Sequence, residues 1–480
     1  MRALGFAALG FAALAFGVFA GGCALGPNYQ RPGAPALNGY AMAGDGAASA
    51  NIQLTPSASA PAGWWNDLSP QLDGLVSEAL AHNQTLAEAD ANLEVARADV
   101  AATRGEASPQ VNASSSAVRE RINTQSFGFT GFPSPTLSLY SVGASVAFDF
   151  DIFGGRRRAI ERDEAHAAAR QARVDAAYLS VTGNVVRQAV LVAGLRAKVT
   201  AQDDIIAGDR RVLEMVRRAI QAGGQPPAAA NTIEAQVAED EAAAPNLRQQ
   251  LAEARHRLAL YVGQAPSQWA APDLDLAAFR APAAIPVTMP SELVRRRPDI
   301  LAAEADLHAA TAQIGVDTAA LYPNLAIAAS WTQSAIDPST LFQATSAGWS
   351  VGPSLTAPIF HGGTLRAHVE RANAAQRAAL AAYQETVLEA FLQVADVMSA
   401  IGNAQEALAS QQQAVQTAEI NVRNAQFAYR NGAGTLLNVV DAQRQANRAR
   451  LGAVDAQVLL YQNIALLYVA SAADWRPATR

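Results

Sequence analysis

The sequence contains one pattern twice, and this repeat constrains the fold more than any other feature. A helical stretch at 75–106 ends at Ser108-Pro109 and is followed by alternating sequence. A second stretch at 300–321 ends at Tyr322-Pro323 and is followed by the same change. Later phrases also correspond: Asp151–Arg156 with Pro358–Gly363, and Ile233–Gln236 with Val440–Gln443. The pattern predicts two structural repeats, at 71–280 and 281–480, each with two strands and long helices.

The predicted strands alternate large apolar residues with small or polar ones. The alternation is clear at 140–150, 325–331 and 349–355, and weaker at 111–123. Transmembrane strands show this pattern over about 9–11 residues, but a half-buried soluble sheet has the same period. Four strands cannot close a barrel, and open sheet edges are not tolerated in lipid. A transmembrane interpretation therefore requires several chains to share one barrel.

Two predicted helices are exceptionally long. The segments 166–221 and 365–430 are almost free of glycine and proline, and apolar residues recur at three- and four-residue spacing, as at Val387, Phe391 and Val394. At 1.5 Å per residue each would span about 80–100 Å. Such helices indicate packing against partner helices. A rod-like coiled-coil spacer would explain the helices equally well, but not the strands.

The N-terminus has the layout of a lipoprotein signal. Met1-Arg2 is followed by an apolar run to Ala20, then Gly21-Gly22 and Cys23, the one cysteine of the chain. This predicts a signal peptide at 1–22, a diacylated Cys23, and a tail and linker at 23–70. An uncleaved transmembrane anchor is the alternative, and Ala20 stands where such signals usually carry leucine. Ala24 is not the aspartate that retains lipoproteins in the inner membrane, so an outer-membrane destination is permitted.

No arrangement of reactive side chains predicts catalysis. The six histidines form no metal-binding motif, and one cysteine cannot provide a zinc pair. The chain also has no nucleophile elbow and no phosphate-binding loop. A net charge of -6 argues against nucleic-acid binding. We therefore expect a non-enzymatic protein with no catalytic residue, no metal and no cofactor other than the lipid on Cys23.

Two charged segments have a structural interpretation. Pro298 is suited to the first turn of a helix, where Asp299 complements the positive helix end. Arg156, Arg157 and Arg158 follow a predicted strand, and we expect them to form a solvated or membrane-border charge cluster.

Several motifs together resemble one family. Cys23–Tyr29 with Arg31-Pro32, Pro290–Ile300, and Asn431-Gly432 leading to Val440–Arg444 resemble the TolC-like outer-membrane factors of the OprM/NodT lipoprotein group. The resemblance covers nearly the whole chain in order. It implies a mixed α/β membrane duct in which a trimer shares a twelve-strand transmembrane barrel, with four strands per chain. A long periplasmic barrel of helices would continue this duct.

The resemblance also implies a function and partners. The chain would be the passive exit channel of a tripartite efflux pump in the outer membrane, exporting drugs or toxic compounds. Its partners would be a periplasmic adaptor and an inner-membrane transporter of the RND type. A type I secretion outer-membrane factor has the same fold and remains open, as does a periplasmic adaptor or spacer lipoprotein.

The candidate gate lies near the last glycine break. Leu437 and Asp441 are four residues apart and share a helix face. By resemblance they match the positions that narrow the periplasmic tip, where three Asp441 carboxylates would form an acidic ring. Tyr429 and Arg430 match the positions that tie neighbouring helices together in the closed state, and Glu234 is a possible first-repeat counterpart of Asp441. The alternative is that Asp441 pairs with Arg444 and has no gating role.

Overall fold

The structure is a computed structural model that describes residues 24–42, 52–55, 62–128, 131 and 133–475. The predicted signal peptide at 1–22 and the predicted lipidation site Cys23 lie outside these residues, so both stay predictions. The predicted tail and linker at 23–70 is described in part.

The helices of the described residues include two that are 67 residues long. In chain order the α-helices are α1 (Trp65–Leu68), α2 (Leu72–His82), α3 (Gln84–Glu106), α4 (Gly155–Gln221), α5 (Ala228–Val262), α6 (Pro290–Arg296), α7 (Pro298–Ala319), α8 (Thr364–Arg430) and α9 (Leu436–Ala470). The long helices α4 and α8 each correspond to about 100 Å of helix. Both predicted long helices are confirmed, although α4 begins earlier than predicted, at Gly155. Pro298 is the first residue of α7, as its position before an apolar helix predicted.

The first helical stretch differs from the prediction because it is broken at Asn83. The backbone of Asn83 is extended, with φ -68° and ψ 124°, which ends α2. The Asn83 Oδ1 atom then accepts hydrogen bonds from the backbone N–H groups of Thr85 (2.9 Å) and Leu86 (3.3 Å) and so caps α3. Its Nδ2 atom donates to the carbonyl of Tyr261 at 2.7 Å, which attaches the junction to the end of α5.

The strands of the described residues form two sheets. The strands are β1 (Ile52–Thr55), β2 (Gln110–Arg121), β3 (Thr136–Phe150), β4 (Ile285–Thr288), β5 (Asn324–Ala335) and β6 (Ala347–Thr356). Four of them form an antiparallel sheet in the order β2-β3-β5-β6, whereas β1 and β4 pair with each other in parallel. Each half of the chain thus supplies one hairpin, and β3 pairs with β5 across the halves. All four predicted strands are confirmed. The edge strands β2 and β6 are exposed along their whole length.

The chain divides into two compact units, and each takes segments from both halves of the sequence. One unit consists of residues up to Pro32 with Leu93–Arg170 and Ala303–Tyr383, and it contains the four-strand sheet. The other consists of Gly33–Asn92, Gln171–Ala302 and Gln384–Arg480. The compact units and the predicted repeats are therefore different divisions of the chain, and the repeat boundaries at 71–280 and 281–480 stay a prediction.

The second unit has its core along α9. Trp64 is fully buried and stacks on Tyr468 with ring centroids 4.7 Å apart. Glycines let α4 approach this helix closely: a Cβ atom on Gly194 would lie 2.2 Å from the Val458 Cγ2 atom. By length and composition α9 could also cross a membrane, but 56% of its most apolar window is buried in the protein. Burial of this kind is typical of a core helix.

In the first unit, the burial of Arg158 contradicts the prediction that all three arginines at 156–158 form a solvated or membrane-border charge cluster. Its side chain is buried and donates to the carbonyl oxygen of Leu25 at 3.1 Å and to the Asn28 Oδ1 atom at 2.7 Å. It also pairs with Glu161 at 2.7 Å. Arg158 therefore holds the N-terminal segment, residues 24–31, against the first turn of α4. Its neighbour Arg157 agrees with the prediction of a solvated charge, because it is half exposed and pairs with Asp151 at 3.3 Å.

Glycines allow the N-terminal segment to approach the protein closely. Gly26 has a φ of 88°, and a Cβ atom on it would lie 2.5 Å from the Cα atom of Gly315. The Leu25 N–H donates to the carbonyl of Phe153 at 3.1 Å. Further along, the Tyr29 ring stacks on His308 with centroids 4.4 Å apart. These contacts pack the N-terminal segment directly against the backbone at Phe153 and Gly315.

His308 and Arg158 meet at one carboxylate. The His308 Nε2 atom lies 2.9 Å from the Glu161 carboxylate, whose other oxygen accepts from Arg158. Burial raises the pKa of Glu161, but the hydrogen bonds from His308 and Arg158 outweigh burial and hold this pKa below its usual value. Glu161 is therefore charged near neutral pH, which strengthens its pairing with Arg158.

Candidate functional site

Both 67-residue helices end in the same backbone motif. After α4, Gly223 adopts φ 74° and the Gly224 N–H donates to the carbonyl of Ala219 at 2.8 Å. After α8, Gly432 adopts φ 72° and the Ala433 N–H donates to Ala428 at 2.9 Å. These bonds define Schellman motifs, which need a residue that tolerates the left-handed conformation. Gly223 and Gly432 are therefore matching helix stops in the two halves of the chain.

The helices that follow begin differently. Thr435 caps α9 by accepting a hydrogen bond from the Asn438 N–H at 3.3 Å. The first turn instead leads into α5 through Pro226 and Pro227, whose carbonyls accept from the first N–H groups of α5. The turn between α4 and α5 therefore differs in backbone conformation from the turn between α8 and α9.

An apolar cluster fixes the start of α9 against the first turn. Val440 is buried among side chains of α4 and α5, and Leu436 packs on the edge of the same cluster. The other buried members are Val212, Leu213, Val216, Ile233 and Val237. Because Val440 points into this cluster, the adjacent face of α9 is turned away from it. Leu437, which is 56% exposed, and Asp441 lie on that outer face.

Asp441 does not pair with Arg444. The Arg444 guanidinium instead donates to the Gln236 Oε1 atom and to Glu239 at 3.4 Å, both on α5. Within the described residues, no ion pair involves the exposed Asp441 carboxylate. The structure thus disfavours the alternative in which Arg444 neutralises Asp441, and leaves this carboxylate available.

The remaining predicted gate residues lie at the same turns. Tyr429 is half-buried and Arg430 is exposed at the last position of α8. In the described part of one chain, neither side chain forms a hydrogen bond or ion pair. Glu234 differs, because it pairs with Arg217 of α4 at 2.8 Å. Like Asp441, it is exposed and follows a residue that is buried in the apolar cluster, but its charge is matched within its own hairpin.

A pair of carboxyl groups, one buried and one partly exposed, was not predicted from the sequence. Asp209 of α4 is 7% exposed and hydrogen-bonds to Asp240 of α5. Burial, together with the hydrogen bond and charge of Asp240, raises the pKa of Asp209 to about 7, and Arg444 acts in the opposite direction. No local motif marks either aspartate, since the pair forms only when α4 and α5 pack.

A metal site is not evident in the described residues, where no group of three or more histidine, cysteine, aspartate or glutamate side chains could hold an ion. The half-buried His308 stacks on Tyr29 and contacts Glu161.

Comparison with known proteins identifies the family. The family model "Outer membrane efflux protein" matches residues 75–264 and 289–473. Outer membrane protein OprJ of Pseudomonas aeruginosa is 30% identical over 481 residues, covering 95% of this chain and 94% of that protein. The cation efflux system protein CusC of Escherichia coli K12 is 25% identical over 452 residues, covering 94% and 96%.

Solved structures agree with this match. The outer-membrane channel OprN has a TM-score of 0.83 and 28% identity, with 95% of this chain and 100% of that chain covered. The open state of the Neisseria gonorrhoeae MtrE outer membrane channel has a TM-score of 0.82 and 25% identity, with coverages of 95% and 100%. The predicted fold class, outer-membrane location and role as an efflux exit channel are confirmed. The chain belongs to the outer membrane efflux protein family.

Proposed function

We propose that three copies of the chain form a passive duct for small molecules, without enzymatic activity. The single observation that carries this proposal is the sheet: it has four strands, and among the described residues nothing pairs with or covers the outer edges of β2 and β6. The exposed strand side chains include Trp331, Trp349, Val351 and Leu355. Apolar exposure of this kind suits lipid, but open edges do not. Closing the sheet with neighbouring copies satisfies both requirements.

The partners follow from the same assembly. A 67-residue helix corresponds to about 100 Å, a length suited to crossing much of a periplasm towards an inner-membrane complex. We propose a periplasmic adaptor and an RND-type transporter as partners, with the transporter supplying the energy. Named relatives serve cation efflux, toluene efflux and pyoverdine export, which supports a small-molecule cargo for this chain. A diacylated Cys23 would add a second attachment to the outer membrane.

The gate of the proposed duct is formed by the start of α9. Val440 is anchored in the apolar cluster, whereas Leu437 and Asp441 are exposed on the outer face of the helix. Three copies of this face would bring three leucines and three carboxylates around one axis. Such a ring narrows the passage and favours cations over anions. Tyr429 and Arg430 have side chains free to contact a neighbouring copy and so to hold the ring closed.

The test is the conductance of the purified protein in planar bilayers. We expect the variant Leu437→Ala/Asp441→Ser to conduct several-fold better than the parent protein, because it removes both the apolar constriction and the carboxylate ring. A matched control makes similar changes on a different helix, at the exposed Leu388 and Glu385 of α8. Leu388→Ala/Glu385→Ser should conduct like the parent. Equal conductance in all three proteins, with the oligomer intact, would contradict the gate.

A further inference from the structure

The carboxyl pair of Asp209 and Asp240 is connected to α9 three residues after Asp441. Asp209 belongs to α4 and Asp240 to α5, and their carboxyl groups hydrogen-bond to each other. The Gln236 Nε2 atom donates to the Asp240 Oδ2 atom at 2.6 Å. On the other side of the same amide, the Gln236 Oε1 atom accepts from Arg444 of α9. One amide therefore connects the carboxyl pair to the helix that carries Leu437 and Asp441.

The pair must share a proton to form this contact. Two carboxylates in hydrogen-bonding distance repel each other unless one is protonated, and burial increases the cost of the second charge. Within the described residues, neither Asp209 nor Asp240 has an ion-pair partner that would offset that cost. A geometry in which both are ionised would therefore require a cation to move towards them.

Arg444 is the cation that already acts on the pair, because its charge lowers the pKa of Asp209. Other charged side chains around Asp209 are Asp204 and Arg211 on α4, Glu419 and Arg423 on α8, and Arg450 on α9. Arg450 is already paired with Glu419 at 2.9 Å. Arg444 is half exposed, and its contact with Glu239 is a long one of 3.4 Å. Its side chain can therefore shift towards the pair by giving up the long contact with Glu239, while the apolar cluster resists separation of α4 from α5.

We propose that the Asp209–Asp240 pair is a proton-binding site that regulates the gate through Arg444. This inference rests on the gate proposed above. When the pair loses its shared proton, its charge increases from -1 to -2. Arg444 is then drawn towards α4 and α5 and holds the start of α9, three residues after Asp441, more firmly in the closed arrangement. When the pair regains the proton, this attraction weakens and the gate opens more readily.

The raised pKa of Asp209, about 7, places the change near neutral pH. The sign follows from linkage: the arrangement with Arg444 close to the pair stabilises the ionised form, so rising pH favours that arrangement. Rising pH therefore favours the closed gate.

The experiment measures the open probability in planar bilayers at about pH 6 and about pH 8, on either side of the raised pKa. For the parent protein we expect an open probability about tenfold lower at the higher pH, the change that a coupling of about one pKa unit produces. Asp209→Asn preserves the shape and the hydrogen-bonding capacity of the side chain but cannot titrate. It should show no pH step, and neither should Arg444→Gln.

A matched control distinguishes this pair from other titrating groups. Asp203 lies on the same helix but is half exposed and pairs with Arg248 at 2.9 Å. Asp203→Asn should therefore keep the pH step of the parent protein. An independent readout is the infrared band of protonated carboxyl groups, which should disappear between the two pH values in the parent protein but not change in Asp209→Asn.

The outcomes separate this proposal from the one on which it rests. A channel with the same open probability at both pH values, or a pH step that persists in Asp209→Asn, overturns the regulatory pair and leaves the proposed duct intact. A correctly assembled protein that conducts at neither pH overturns both. A step in the parent and in Asp203→Asn, absent from Asp209→Asn and Arg444→Gln, supports the pair.

Discussion

Replacing Arg158 with alanine is expected to destabilise the first unit by about 3 kcal/mol, because it removes a buried guanidinium that donates to several acceptors and pairs with Glu161. The Arg158 side chain is 4% exposed, and the carbonyl of Leu25, the Asn28 amide oxygen and Glu161 all accept from it. Its loss removes this donor from Leu25 and Asn28 and leaves Glu161 with His308 as its partner. We expect a lower midpoint of thermal unfolding in detergent and faster protease cleavage within residues 24–31.

The neighbouring arginine provides the control. Arg157 is half exposed and pairs with Asp151, so Arg157→Ala should cost at most about 1 kcal/mol. It should also leave protease cleavage of the N-terminal segment unchanged. If both alanine variants lowered the unfolding midpoint equally, or if residues 24–31 stayed protected in Arg158→Ala, Arg158 would not be what holds the segment.

Gly263→Ala is expected to have a similarly large effect in the second unit. Gly263 ends α5 with φ 79°, a conformation that costs an L-residue about 1–2 kcal/mol. In addition, a Cβ atom there would lie 2.1 Å from the carbonyl oxygen of His82, a backbone atom that cannot rotate away. Displacing the α2–α3 junction adds about 1–3 kcal/mol of overpacking. Thermal unfolding of the variant should therefore begin at a clearly lower temperature.

A second glycine tests this explanation with the same chemical change. Gly74 lies inside α2, where a Cβ atom would meet nothing within 4 Å. Gly74→Ala should therefore stabilise the protein by about 0.5–1 kcal/mol, because alanine favours a helix interior. If the two variants changed stability in the same direction, the close approach at Gly263 would not be the cause.

The elements with a regular pattern were predictable from the sequence. Alternation identified β3, although the strand begins at Thr136, before the clear alternation at Tyr140. Spacing and the lack of helix breakers identified α4 and α8. The break at Asn83 was missed because neither glycine nor proline marks it. Asn83 ends α2 through its backbone conformation and caps α3 through its side chain, and a helical pattern continues on both sides.

Features that depend on tertiary contacts were not predictable. Three consecutive arginines look alike in sequence, but Arg158 alone among them is buried, because the N-terminal segment packs over it. The same limit applies to Asp209 and Asp240, which are far apart along the chain and meet through helix packing. The prediction for Asp441 came from the resemblance alone. Asp441 is exposed and has no ion-pair partner in the described part of one chain, which agrees with a carboxylate ring formed by three copies of the chain.

If one chain supplies a third of a closed barrel, electron cryomicroscopy of the detergent-purified protein should show the complete barrel. We expect three copies around one axis, with β2 of each copy paired with β6 of the next, so that twelve strands close and no sheet edge remains open. The three Asp441 carboxylates should face that axis. A particle with another number of copies, or one in which β2 and β6 stay unpaired, would contradict a barrel shared by three copies.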